Sequence, residues 1–148
     1  MEYYDLKADS TFLISQKAII LYNNNFLILG RKVKDTFIWE LPGGLLEMNE
    51  TMLNGLVREV KEETGLDIET SELFDTWDHY LDNFIFKDGR KLKCRFIELA
   101  FKCKCSNDQV IISNEHDTYK WVNVESLDKL SFSVNSKHAI EKFIKLGI

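Results

Sequence analysis

Gly44-Leu-Leu-Glu-Met-Asn-Glu50-Thr-Met-Leu-Asn-Gly55-Leu-Val-Arg58-Glu59-Val60-Lys61-Glu62-Glu63-Thr64-Gly65-Leu66 is the stretch on which the fold turns. From Thr51 to Thr64, Leu53, Leu56, Val57 and Val60 fall at i, i+3, i+4 and i+7, the spacing of one apolar helix face, and Gly65 supplies a stop. At about 100° per residue, Glu59, Glu62 and Glu63 form a stripe roughly 120° from that face, bordering the core. Like charges at this spacing cost a helix a few tenths of a kcal/mol per pair, so the stripe calls for a cation. Hard oxygen ligands on a rigid element suit Mg²⁺, with Mn²⁺ as a substitute. Gly55 projects into the same sector one turn earlier, where its missing side chain leaves room although glycine costs about 1 kcal/mol in a helix interior. Taken alone, Glu59-Val-Lys-Glu-Glu63 also reads as a solvated face.

Outward from this helix, strand patterns surround it. Ala18–Tyr22 and Phe26–Leu29 are apolar runs joined by Asn23-Asn24-Asn25, a hairpin composition. Phe37–Leu41 is a third strand, stopped by Pro42-Gly43-Gly44. Beyond the helix, Ser71–Phe86 and Lys91–Cys105 flank Lys87-Asp88-Gly89-Arg90 as a long hairpin. A polar loop from Ser106 to Thr118 leads to a strand at Tyr119–Val124, and Val134, Ala139, Ile140, Phe143 and Ile144 predict a closing helix from about Asn135 to Leu146. Helices interleaved with a mixed sheet give an α/β sandwich, and 148 residues without repeat or linker give one domain, 1–148.

With 45% hydrophobic and 29% charged residues, the composition is that of a chain that folds unaided. A net charge of −5 argues against a nucleic-acid polymer as partner, which calls for a clustered basic face. No apolar run reaches the roughly 18 residues of a membrane span, and Met1-Glu2-Tyr3-Tyr4-Asp5 lacks the basic start of a secretory signal. The expected setting is therefore cytoplasmic, with no membrane partner. Cys94, Cys103 and Cys105 read as reduced thiols, since His79, His116 and His138 show no zinc-ligand spacing to them.

The opening stretch resembles a complete Nudix box. That family's pattern asks for glycine, five residues, glutamate, seven residues, then Arg-Glu-aliphatic-any-Glu-Glu-any-Gly-aliphatic. Gly44, Glu50, Arg58, Glu59, Val60, Glu62, Glu63, Gly65 and Leu66 fill every position. With odds of about one in ten at each strict position, chance agreement is on the order of one in ten million. Trp39-Glu40-Leu41-Pro42-Gly43-Gly44 resembles the family's lead-in, and Glu115-His116 before Tyr119 and Trp121 resembles a later segment of several members. Two departures are Asn49, where a glycine is usual, and Gly55 with Leu56, where alanines are common.

The resemblance implies an α/β/α sandwich with a mixed sheet between helices, and a hydrolase that splits the diphosphate linkage of a nucleoside diphosphate derivative. It implies Mg²⁺ or Mn²⁺ on Glu59, Glu62 and Glu63, with one of them a possible base. Arg58 and Glu50 would pair to orient the others, and Gly43 and Gly44 would let the loop backbone pass close by. Glu115, in the polar loop, is the expected additional ligand or general base; Glu98 is the rival, on a strand face with Leu92, Cys94, Phe96 and Ala100, where a charge needs a partner.

Substrate markers are sparse. Pro42 is the sole proline, which argues against the ADP-ribose subclass, and the coenzyme A and decapping markers are missing. The compact MutT-like members acting on nucleoside triphosphates, oxidised ones included, fit best. ADP-ribose or nucleotide-sugar hydrolysis, dinucleoside polyphosphate hydrolysis, a non-catalytic nucleotide-binding regulator and a plain interaction domain are the alternatives. Trp77 and Tyr80, with Phe84 and Phe86, are candidates to stack on a base, although aromatics in strands more commonly pack in cores. The partner is a small nucleotide; the oligomeric state stays open, a homodimer being compatible.

Overall fold

The computed structural model describes residues 9–146. Met1–Asp5, the run without the basic start of a secretory signal, lies outside the described residues. The elements run β1 (Ser10–Tyr22), β2 (Asn25–Val33), β3 (Thr36–Glu40), α1 (Met52–Thr64), β4 (Ile68–Ile85), β5 (Lys91–Cys105), β6 (Thr118–Val122), a 3₁₀ helix (Val124–Lys129) and α2 (Val134–Leu146). Asn23 and Asn24 both take left-handed backbone angles (φ 47° and 62°), as a tight hairpin between twisted strands requires. The 3₁₀ helix was not legible in the sequence pattern; Asn123 caps it, its side chain accepting from the Ser126 N–H at 3.1 Å.

The sheet order is β3-β2-β1-β5-β4, with β6 added on β2. β1 and β5 are parallel and the other pairs antiparallel, so the sheet is mixed. Alternation along the strands divides the core into two. Ala18, Ile20, Leu27 and Leu29 face α1 through Leu56 and Val60. Ile19, Phe26, Ile28 and Trp39 face α2 through Ala139, Ile140 and Phe143. The result is the expected α/β/α sandwich. No helix among the described residues is long and apolar enough to cross a membrane.

One break in the sheet creates the site. β1 pairs with β2 only near their shared turn, at Leu21↔Phe26 and Tyr22↔Asn25. Farther along, the chain leaving β3 lies against β1: Ala18 N–H donates to the Pro42 carbonyl, Gln16 N–H to Gly44 and Leu46 N–H to Ile14 (2.8, 2.8 and 2.9 Å). The glycine loop is thereby fixed to the centre of the sheet, directly before α1.

Helix α1 has the expected ends. Thr51 caps it, accepting from the Asn54 N–H at 3.2 Å, and Gly65 closes it at φ 71°. Its rotation differs from the apolar spacing. Leu53 and Val57 are 49% and 37% exposed, while Gly55, Leu56, Val60, Glu63 and Thr64 are buried. The buried face is turned toward the acidic stripe because the glycine loop, rather than more apolar side chains, packs there.

Candidate active site

Backbone geometry comes first. Gly43 sits at φ 133°, and a Cβ there would lie 2.1 Å from the Gln16 carbonyl oxygen. Its N–H donates to Glu63 Oε2 at 2.7 Å. A Cβ on Gly44 would fall 2.6–2.7 Å from the carboxyl atoms of Glu59. Two residues without side chains thus bring loop backbone against two of the three stripe glutamates.

Arg58 organises the remainder. Its Nε and one terminal nitrogen donate to the two carboxyl oxygens of Glu50 (2.9 and 2.8 Å), the expected pair in bidentate form. The other terminal nitrogen donates to Glu59 at 3.0 Å and Glu62 at 3.2 Å. The space left by Gly55 is taken by Glu50 Oε1 and Gln16 Oε1, which a Cβ would approach to 2.7 and 3.0 Å. That glycine serves the Arg58–Glu50 clamp and its neighbour Gln16.

The charges are unevenly tuned. The hydrogen bond from Arg58 holds Glu50 far down, at about 2. Burial pushes Glu63 up to about 7, against the opposing pull of the Gly43 N–H and the Lys17 charge. Burial also raises Glu59, with Arg58 offsetting part of the rise. Glu40 is raised by burial, but the hydrogen bond with His116 and the charges of Lys17 and Arg31 outweigh it and leave it below its ordinary value. Adjacent carboxyls pushed apart in this way are what acid–base and metal chemistry uses.

These groups border a cleft of about 430 Å³ lined by Lys17, Arg31, Glu40, Gly43, Glu63, Glu115 and His116, a size suited to a small ligand. Glu40 Oε1 lies 2.9 Å from both Arg31 Nε and His116 Nε2. A larger hollow of about 590 Å³ lies by the Asn23–Asn24 turn, but its lining, from Leu21 to Phe143, holds no carboxylate and so offers no comparable chemistry.

Of the residues singled out by sequence, Gly43, Glu63 and Glu115 line the cleft, and Gly44, Arg58, Glu59 and Glu62 are joined to it through the contacts above. Trp77 and Tyr80 do not. Trp77 stacks on His138 of α2 (centroids 5.0 Å apart, 17° between planes) and packs against the α2-side core. Tyr80 lies exposed beneath Arg95, 4.7 Å from its guanidinium carbon. Phe84 packs against Phe86 and Phe96. Glu98 is fully buried, and the partner that its burial demands is His79 Nε2 at 2.9 Å. Lys17, Arg31 and Gln16 are the additions, together with Glu40 and His116, which the sequence offered only as members of the two resembling segments and without a role. Lys17 had a signal, as a lone cation between Ser15-Gln16 and the apolar run from Ala18.

Glu59, Glu62, Glu63 and Glu115 offer hard oxygen donors beside a side-chain-free loop, which suits Mg²⁺ or Mn²⁺. Among the described residues no three acidic, histidine or cysteine side chains stand as a closed ligand shell: Arg58 engages Glu59 and Glu62, and the Gly43 N–H engages Glu63. The three thiols sit apart, Cys94 and Cys103 buried and Cys105 half-buried, with no disulfide.

Comparison with known proteins bears on the same residues. The NUDIX domain sequence model matches residues 15–143, from β1 into α2. The chain belongs to the Nudix family. A MutT-like protein of Streptomyces ambofaciens is 29% identical over 116 residues, covering 78% of this Nudix chain and 67% of the relative. The nucleoside triphosphatase NudI of Salmonella typhimurium is 32% identical over 104 residues, 69% of this chain and 73% of its own. The crystal structure of a MutT protein from Methanosarcina mazei superposes with a TM-score of 0.74 at 25% identity, over 95% of this Nudix hydrolase and 99% of that chain.

Proposed function

We propose that this Nudix hydrolase splits a nucleoside triphosphate, oxidised forms included, between its α and β phosphorus atoms, releasing a nucleoside monophosphate and pyrophosphate. The observation that carries the reading is the cleft where buried Glu63, fixed by the Gly43 N–H, faces Glu115, with Glu59 and Glu62 tethered alongside by Arg58. Glu59, Glu62, Glu63 and Glu115 would hold Mg²⁺ or Mn²⁺, which when bound neutralises phosphate charge and polarises the attacking water. Arg58 keeps Glu59 and Glu62 at fixed separation from Glu50, and the Gly43 amide orients Glu63. Glu115, exposed on its loop, accepts the proton from water as the new O–P bond forms, and the electron pair of the broken P–O–P bridge leaves on pyrophosphate. The NudI and MutT-like relatives support a triphosphate over other nucleoside diphosphate derivatives. Chromatography of products from a panel of nucleotides with Mg²⁺ tests it. Monophosphate and pyrophosphate are expected; a nucleoside diphosphate as first product, or rapid ADP-ribose cleavage beside inert triphosphates, would overturn it.

A further inference from the structure

Lys17 is a cation without a carboxylate counterpart among the described residues. It is 5% exposed, yet the one hydrogen bond of its ammonium among the described residues is a long one, 3.3 Å, to the Gly43 carbonyl, and it forms no ion pair there. Glu40, Glu59 and Glu63 feel its charge without being close enough to pair. An ammonium withdrawn from water and left unpaired costs several kcal/mol, and such a charge persists when something else completes it. The side chain lines the same cleft as Glu63 and Glu115, so its spare donors belong to the space a ligand fills. Its position is rigid: β1 is the sheet's central strand, Lys17 lies opposite Ala100 of β5, and the Ala18 and Gln16 N–H groups on either side are bonded to the glycine loop. Gly43 is thus held from two directions, its N–H on Glu63 and its carbonyl on Lys17.

We propose that Lys17 is a catalytic residue whose ammonium binds a non-bridging oxygen of the substrate's diphosphate in the cleft it shares with Glu63 and Glu115. The contact rests on the phosphate-cleaving reading but not on the choice of nucleotide. It stabilises charge as the bridging bond breaks and transfers no proton or bond of its own. The glutamate stripe accounts for cations, whereas Lys17 gives the phosphates a direct protein partner.

The probe is methylenediphosphonate with Mg²⁺, a diphosphate analogue that carries no nucleoside and, with carbon in place of the bridging oxygen, resists hydrolysis, titrated into the wild-type, Lys17→Met and Lys17→Arg proteins. Lys17→Met is expected to bind it at least tenfold more weakly and Lys17→Arg to recover part of the loss, with affinity for Mn²⁺ alone unchanged. Diphosphonate affinity within threefold of wild type in Lys17→Met, or parallel loss of Mn²⁺ binding, would overturn the assignment, the second outcome marking Lys17 as support for the carboxylates. Should Lys17→Met not fold, the ¹⁵Nζ resonance of Lys17 in the wild-type protein decides: it shifts on adding the diphosphonate or the proposal fails. A wrong triphosphate assignment would appear separately, as unexpected nucleotide products with the diphosphonate contact intact.

Discussion

Glu63 is the carboxyl at which, on the proposed reading, a proton would compete with a metal ion. Its value of about 7 against 4.5 in the unfolded chain means that the folded, metal-free protein binds the extra proton. The stability this contributes is fully present below about 4.5 and is lost as pH rises through about 7, some ~3 kcal/mol for a buried group. Urea melts of metal-free wild type minus Glu63→Gln, between pH 4 and 8, should fall by that order with rising pH, and Mg²⁺ should restore the difference at the alkaline end. At saturating Mg²⁺, Glu62→Gln or Glu63→Gln should lower kcat by at least about 100-fold with the fold intact, as for loss of a metal ligand. Near wild-type turnover in either would remove it from the metal set. Glu115→Gln should lower kcat about 100-fold with little change in KM. Glu98→Gln, whose carboxyl belongs to His79 away from the cleft, should affect melting temperature more than rate. Steady-state kinetics on the pair assigns the base: normal kcat in Glu115→Gln rejects it.

At the level of the element, α1 separates what periodicity can and cannot say. Its C-terminal stop was legible because caps are local: Gly65 bonds back to Lys61, four residues earlier, while Thr51, where the helical pattern begins, proves to be the N-cap. The Arg58–Glu50 pair was legible for the same reason, lying within one loop and two helical turns. Helix rotation was not, since a pattern of apolar letters gives no weight to Gly55, Glu63 or Thr64, all of which are buried. The corrected rotation makes a sharp prediction. Leu56→Ala should destabilise by about 2–5 kcal/mol, whereas Leu53→Ala, half exposed, should cost well under about 1 kcal/mol; equal effects in chemical denaturation would contradict it. In the preceding loop, Gly44→Ala inserts a methyl against the Glu59 carboxyl, so kcat should drop at least about tenfold with a smaller loss of stability.

Across the whole molecule, the hairpins and the layered α/β architecture followed from alternation, turn residues and interleaving, whereas the strand order and the pairing that builds the site did not. The parallel match of β1 with β5 joins Lys17 to Ala100, and the lodging of the glycine loop on β1 joins Gln16 to Gly44. Contacts between such distant positions leave no periodic trace, which is why Lys17 and Arg31 went unmarked, and Glu40 without a role, while the box glutamates stood out. The partners of the aromatics were illegible for a related reason: an alternating strand shows that Trp77 has a face, but only the placement of α2 shows which neighbour fills it.

That arrangement also sets a clock. The walls of the cleft come from β1, β2, β3, α1 and the loop before β6, so no contiguous stretch contains them. Closing such loops is slow compared with forming the helix of the box, which relaxes in about a microsecond. In refolding from urea, far-ultraviolet ellipticity should therefore return ahead of catalysis, and the lag between the two signals measures how long the separate walls of the cleft take to meet.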